Sequence, residues 1–84
     1  MPAHVDPDLR SRLDGDPRAQ LEAIVLAEGE LEELEGSLPG DVVVRHRYRL
    51  VRGLAVSARA DVMRRVADLP TVKSIEPVRI VQAR

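Results

Sequence analysis

The 84-residue chain contains no cysteine, phenylalanine or tryptophan, and Tyr48 is its only tyrosine. The absence of cysteine excludes a disulfide-stabilised scaffold, a thiolate metal site and a cysteine nucleophile. The two histidines, His4 and His46, are far apart in the sequence, with no third ligand type clustered near either. This spacing argues against a catalytic zinc site and against a Ser-His-Asp triad. We therefore expect a binding module that uses no cofactor, and not an enzyme.

Long apolar segments are also missing from the chain. No apolar run approaches the roughly 18 residues that a transmembrane helix needs. Residues 1–6 contain neither the basic segment nor the apolar segment of a secretory signal. From these features we expect a cytoplasmic protein with no membrane partner.

The net charge of −1 conceals an uneven distribution of charge along the chain. Residues 1–41 contain 11 acidic and 3 basic side chains, whereas residues 42–84 contain 3 acidic and 10 basic ones. Such a division is compatible with a nucleic-acid partner, or with two halves that neutralise each other in the folded domain. We favour the second interpretation, because charged faces are usually solvated.

Valine, leucine and alanine supply most of the apolar residues, so the predicted core is thin. Ordering the chain costs roughly 1.5 kcal/mol per residue, and burial of apolar surface contributes about 25 cal/mol per Å². Because the two contributions nearly cancel in so small a domain, we expect marginal stability. Residues 1–17 are expected to add little to it. In that segment Asp6 caps a short helix that begins at Pro7, presents Leu9 and Leu13 on one face, and ends at Gly15.

Two further elements are predicted between residues 18 and 41. Residues 21–27 form a short, nearly continuous apolar run, which periodicity alone assigns neither to a strand nor to a helix. Leu31, Leu34 and Leu38 then follow the spacing of a helix, which Pro39 and Gly40 end. We interpret the pair as a strand followed by a short acidic helix.

Residues 42–50 are the clearest strand in the sequence. Strict alternation predicts that Val44, His46, Tyr48 and Leu50 share one face. The same alternation places Arg45, Arg47 and Arg49 together with Val43 on the other face.

The remaining elements follow from turn and cap residues. Arg52 and Gly53 fit a turn or bulge, after which residues 54–56 begin an antiparallel strand. Ser57 is predicted to cap a helix that extends to about residue 69 and stops at Pro70. Residues 72–76 form the last strand, and residues 77–84 an extended tail. In the helix predicted after Ser57, the side chains of Val62, Val66 and Leu69 are expected to face the core.

The element order β-α-β-β-α-β predicts an α+β fold, the ferredoxin-like split βαβ sandwich. It would contain a four-stranded antiparallel sheet with two helices on one face, plus a short N-terminal helix. The domain would occupy residues 18–76, between an N-terminal segment at 1–17 and the tail at 77–84. The uncovered sheet face is expected to dock a partner through Arg45, Arg47 and Arg49.

Residues 43–81 resemble the subtilisin propeptide family, which includes stand-alone inhibitors of subtilisin-like serine proteases. The similarity lies in an ordered series of short motifs, and residues 5–9 and 23–25 also resemble the start of many subtilase precursors. The motifs are His46-x-Tyr48, Gly53-Leu54-Ala55, the Ser57-led helix ending at Leu69-Pro70, and Val72-x-x-Ile75-Glu76.

The resemblance implies an inhibitor, a folding chaperone, or both, for a subtilisin-like serine protease. In the family the sheet packs on two parallel protease helices, and the tail lies in the active-site cleft like a substrate. Glu76 would cap one of those helices, and Val78 stands where relatives commonly have a second acidic residue. Arg84 would lie next to the catalytic serine. The four residues implied to fill successive subsites of the cleft are Val81, Gln82, Ala83 and Arg84.

Two other functions remain open at this point. A ferredoxin-like module can serve protein interaction or oligomerisation, with the uncovered sheet face pairing with a second copy. The basic strand with Arg45, Arg47 and Arg49 would also suit phosphate contacts to nucleic acid. Sheets that bind RNA stack bases on aromatic residues, however, and this chain offers only Tyr48. We therefore favour a protein partner over nucleic acid.

Overall fold

Five strands form one mixed sheet in a computed structural model, which describes residues 4–78. Three helices pack against this sheet. The strands lie in the order β1-β5-β2-β4-β3, and every neighbouring pair is antiparallel except β1 and β5. The elements are β1 (His4–Val5), α1 (Pro7–Leu13), β2 (Gln20–Ala27), α2 (Leu31–Ser37), β3 (Val43–Tyr48), β4 (Gly53–Arg59), α3 (Ala60–Ala67) and β5 (Val72–Pro77).

The prediction of a four-stranded antiparallel sheet is wrong, because the sheet has five strands and one neighbouring pair is parallel. The additional strand β1 pairs in parallel with β5, with His4 beside Ser74 and Val5 beside Ile75. The Asp6 amide continues this pairing by donating to the Ile75 carbonyl at 3.1 Å. A strand of two residues is too short to show an alternating pattern, so the sequence contains no signal for it.

The N-terminal segment contributes more than the sequence suggested. Helix α1 begins as predicted: the Asp6 carboxylate accepts a hydrogen bond from the Asp8 amide at 3.0 Å, and Pro7 occupies the first turn. Leu9 and Leu13 are buried in the same core as the sheet. The expectation that residues 1–17 add little is therefore wrong, because two leucines of α1 complete that core.

Helix α3 starts later than predicted, because β4 continues through Ser57. The Ser57 side chain is buried within the strand and accepts a hydrogen bond from Gln20 Nε2 at 2.8 Å. It therefore caps no helix, and α3 begins at Ala60. Val62 and Val66 face the core as predicted, and Leu69 packs against its border.

All three helices send apolar side chains into one core on one side of the sheet. Leu9 of α1, Leu34 of α2 and Met63 of α3 are fully buried there. They join the inward side chains of the central strands, among them Val25 and Leu54. Each such side chain stabilises the fold by about 1.5–3 kcal/mol relative to exposure. Within residues 4–78 no helix lies on the other side of the sheet, and that side is the candidate site.

Candidate protein-docking surface

The pairing of the strands defines which residues share the side of the sheet away from the helices, here called the open face. Paired residues point the same way, so each row across the sheet belongs to one face. One row runs Glu76, Ile24, Ala55, His46, and the next runs Ser74, Leu26, Gly53, Tyr48. The row between them, Ile75, Val25, Leu54 and Arg47, points to the helix side. The open face comprises His4, Gln20, Glu22, Ile24, Leu26, Val43, His46, Tyr48, Gly53, Ala55, Ser57, Arg59, Ser74 and Glu76.

A bulge in β3 changes the alternation on which the predicted arginine face depended. Val44 pairs with the buried Val56, but the next paired residue is His46, so Arg45 is the extra residue of the bulge. Beyond the bulge, Arg47 pairs with Leu54, whose side chain belongs to the core. A one-residue shift of this kind moves every following side chain to the opposite face.

The prediction that Arg45, Arg47 and Arg49 form one docking face is therefore wrong. The Arg47 guanidinium lies on the helix side, where it forms an ion pair with Glu35 of α2. Arg49 follows the end of β3, in the turn that leads to β4. Arg45 borders the open face, where it lines a shallow depression together with Glu22 and Val78.

The side chains of His46 and Tyr48 contact each other on the open face, because their two rows point to the same side of the sheet. Their ring centroids are 4.5 Å apart in an edge arrangement, with 60° between the planes. Aromatic pairs of this geometry contribute about 0.5–1.5 kcal/mol beyond their burial. Together with Ala55 and Val78 the two rings line a depression of about 260 Å³. The Tyr48 side chain keeps 38% of its surface exposed, which leaves it available to a partner.

Gly53 allows the chains to approach closely between Tyr48 and Leu26. A Cβ atom at this position would lie 2.8 Å from Leu26 Cδ2, well inside ordinary contact distance. The glycine thus leaves room for the Leu26 side chain to lie across β4. In this position Leu26 forms one apolar centre with Ile24 and Ala55. The sequence had indicated a turn or bulge at Gly53, whereas the residue opens β4.

Charges on the open face are separated by strand. Glu76 on β5 and Glu22 on β2 are exposed and acidic, and the opposite border on β3 has Arg45 and His46. Among the described residues, Glu22, Arg45 and Glu76 form no ion pair, in contrast to Arg47. Glu76 has one long contact, 3.5 Å from Ser74 Oγ. The open face is thus apolar at its centre, acidic on one side and basic on the other.

Sequence reasoning placed Glu76, His46 and Tyr48 correctly on strands but missed the apolar centre. Ile24, Leu26 and Ala55 lie in runs that are apolar on both faces, so no alternation separated their outward side chains from the core. The tail residues Val81, Gln82, Ala83 and Arg84 lie outside the described residues.

Other kinds of site find no support in the part of the chain that the structure describes. Across residues 4–78, no three or more His, Cys, Asp or Glu side chains are grouped to hold a metal ion. No helix in that range combines the length and apolarity needed to span a bilayer. In the comparisons with known proteins, no family model, no curated protein and no solved structure matches this chain.

Proposed function

We propose that this chain is a propeptide-like inhibitor of a subtilisin-like serine protease in the cytoplasm, a folding chaperone for the same enzyme, or both. The observation that carries the proposal is the open face. It is a sheet surface with an apolar centre on which no helix of residues 4–78 packs, and Glu76 lies on the strand from which the C-terminal residues follow. The chain would bind the protease and perform no chemistry itself.

The proposed fold of the core is the ferredoxin-like split βαβ sandwich, built from β2, α2, β3, β4, α3 and β5. Its support is the strand order β5-β2-β4-β3 with antiparallel neighbours, and the packing of both helices on one side. Strand β1 and helix α1 then extend that core at the border next to β5. The resemblance noted from the sequence, an ordered series of short motifs, falls on β3, β4, α3 and β5 of this core.

Docking through the open face is favoured over docking through a sheet edge. At one edge β1 has only two residues, and at the other β3 is bulged and presents exposed arginines. Short strands, bulges and charged side chains are the features by which proteins block strand addition at an edge. A partner that offers helices instead would pack on Ile24, Leu26 and Ala55, with Glu76 near a helix N-terminus.

The inhibitory contact is proposed to come from the residues that follow β5. In this arrangement Val81, Gln82, Ala83 and Arg84 occupy successive subsites of the cleft, paired with its edge as an added strand. The sheet would supply most of the binding, because ordering a short peptide alone costs much of its affinity. Arg84 would then favour a protease whose first pocket is acidic.

Titration of a panel of subtilisin-like proteases with the purified chain tests this function. We expect inhibition of at least one panel member, no inhibition of a chymotrypsin-like protease, and no hydrolysis by the chain alone. Ala55→Glu inserts a long charged side chain at the centre of the open face, so it should weaken inhibition at least tenfold. Ser11→Glu, at an exposed position of α1, makes the same change of charge on the helical side and should inhibit as the wild type does.

Two outcomes would contradict the proposed function. One is the absence of inhibition across the panel at micromolar concentration. The other is equal inhibition by the wild type and by a folded Ala55→Glu variant, which would remove the open face from the interaction. Salt-sensitive RNA binding in place of inhibition would favour the nucleic-acid alternative.

A further inference from the structure

We infer that the open face is also the interface of a symmetric homodimer in which His46 of each copy meets Glu76 of the other. This inference rests on the arrangement of residues across the open face and not on the proposed function. In one row the sheet presents Glu76 on β5, the apolar Ile24 and Ala55 at the centre, and His46 on β3. The row is acidic at one end and has an imidazole at the other.

A two-fold axis parallel to the strands, between β2 and β4, makes such a row complementary to itself. It places β3 of one copy over β5 of the other, and β2 over β4. His46 then faces Glu76 of the second copy, and Ile24 faces Ala55 of the second copy. Because the interface is isologous, each contact occurs twice. Two packed sheets lie about 10 Å apart, a distance that these side chains span from both sides.

The charges select this axis over the alternatives. An axis perpendicular to the strands that passes through this row would place Glu76 over Glu76 of the second copy. An axis along β2 itself would place Glu22 near Glu22 of the second copy. Like charges opposed in this way destabilise an interface. The axis between β2 and β4 instead brings Glu76 over His46 of the second copy and Glu22 over Ser57 of the second copy, so that no two carboxylates are opposed.

The size of the open face indicates a weak dimer that exchanges with monomer. Four strands about 4.8 Å apart, with about seven residues each at 3.4 Å per residue, span about 450 Å². This area is below the roughly 800 Å² per partner of stable complexes. We therefore expect monomer and dimer to be in equilibrium at micromolar concentrations of the chain. A protease that binds the same face more tightly would displace the second copy.

Sedimentation velocity of the full chain, from low micromolar to several hundred micromolar, tests the dimer without any protease. The wild type should shift from monomer to dimer over this range. Glu76→Lys opposes a lysine to His46 and should weaken the dimer at least tenfold, and His46→Glu should do the same by opposing two carboxylates. Glu32→Lys makes the same charge change on the exposed side of α2 and should dimerise as the wild type does.

Mixing the Glu76→Lys and His46→Glu variants distinguishes the loss of the proposed contact between His46 and Glu76 from a loss of folding. In an equimolar mixture, the lysine introduced in one variant meets the glutamate introduced in the other, and the unchanged His46 of the first meets the unchanged Glu76 of the second. The mixture should regain dimer, whereas each variant alone stays monomeric. A wild type that is monomeric throughout would overturn the inference, as would folded charge variants that dimerise normally or fail to pair when mixed. None of these outcomes bears on protease inhibition by the monomer.

Discussion

At the scale of the residue, the turn between β3 and β4 contains the one backbone strain in the described part of the chain. Arg52 has a φ of 50°, a left-handed backbone conformation that residues other than glycine rarely adopt. The neighbouring Gly53 has no positive φ and is needed for space, because of its contact with Leu26. The sequence pair Arg52-Gly53 predicted a turn, but it did not show which residue takes the unusual conformation.

Replacing Arg52 by glycine should therefore stabilise the protein. The left-handed conformation costs an L-residue about 1–2 kcal/mol, of which glycine's greater freedom in the unfolded chain cancels a part. We expect the free energy of unfolding to rise by about 0.5–1 kcal/mol, measured by urea denaturation.

Arg52→Ala is the control for the loss of the side chain, since alanine retains the conformational penalty. It should leave the free energy of unfolding within about 0.5 kcal/mol of the wild type. Equal stability changes for the glycine and alanine variants would show that the backbone at this position is not strained.

At the scale of the element, the predictions succeeded where one signal was sufficient. Asp6 and Pro7 marked the start of α1, and the leucine spacing marked α2. Errors arose where two elements compete for a residue. Ser57 is a good helix cap in isolation, but pairing with β2 keeps it in β4, where Glu22 is its partner. Tertiary pairing thus overrode the local preference.

The bulge in β3 is the feature that sequence reasoning was least able to find. The segment from Val43 to Tyr48 alternates without a glycine or proline to mark an interruption. Its first part is oriented by Val44, which packs against the core, and its second part by the contact between His46 and Tyr48 on the open face. Both demands are met only if one residue, Arg45, is left out of the ladder. The docking residues could not be assigned without this register.

Helix α1 is an integral part of the core, and a leucine-to-alanine pair tests this. Leu9 is fully buried, whereas Leu50 in the turn after β3 is fully exposed. Leu9→Ala should reduce the free energy of unfolding by about 2–4 kcal/mol, because it removes buried methyl groups and leaves a cavity. Leu50→Ala should change it by less than about 0.5 kcal/mol. Similar losses for the two variants in chemical denaturation would mean that the N-terminal segment does not contribute to the folded core.

At the scale of the whole molecule, the structure divides into a helical side and an open face. The core consists of aliphatic and alanine side chains without an aromatic residue. A domain with such a core is expected to be marginally stable and to gain stability from any partner that binds its folded form. We propose that the open face is the surface for that partner, whether a protease or a second copy. The α+β class and the order of the elements from β2 to β5 could be predicted from sequence, but strand β1 and this division into two sides could not, because the division requires the register of the strands.

Inhibition of a subtilisin-like protease by the full chain and by a chain lacking residues 81–84 tests the proposed function most directly. All the elements and core side chains described above lie within residues 4–78, and we expect the deletion to leave the circular dichroism spectrum and the unfolding transition unchanged. We predict that the full chain inhibits the protease and that the deletion raises the inhibition constant at least a hundredfold. The shortened chain should still bind a serine-inactivated protease weakly, through its open face. Equal inhibition by the two chains, both shown to be folded, would contradict the substrate-like mechanism.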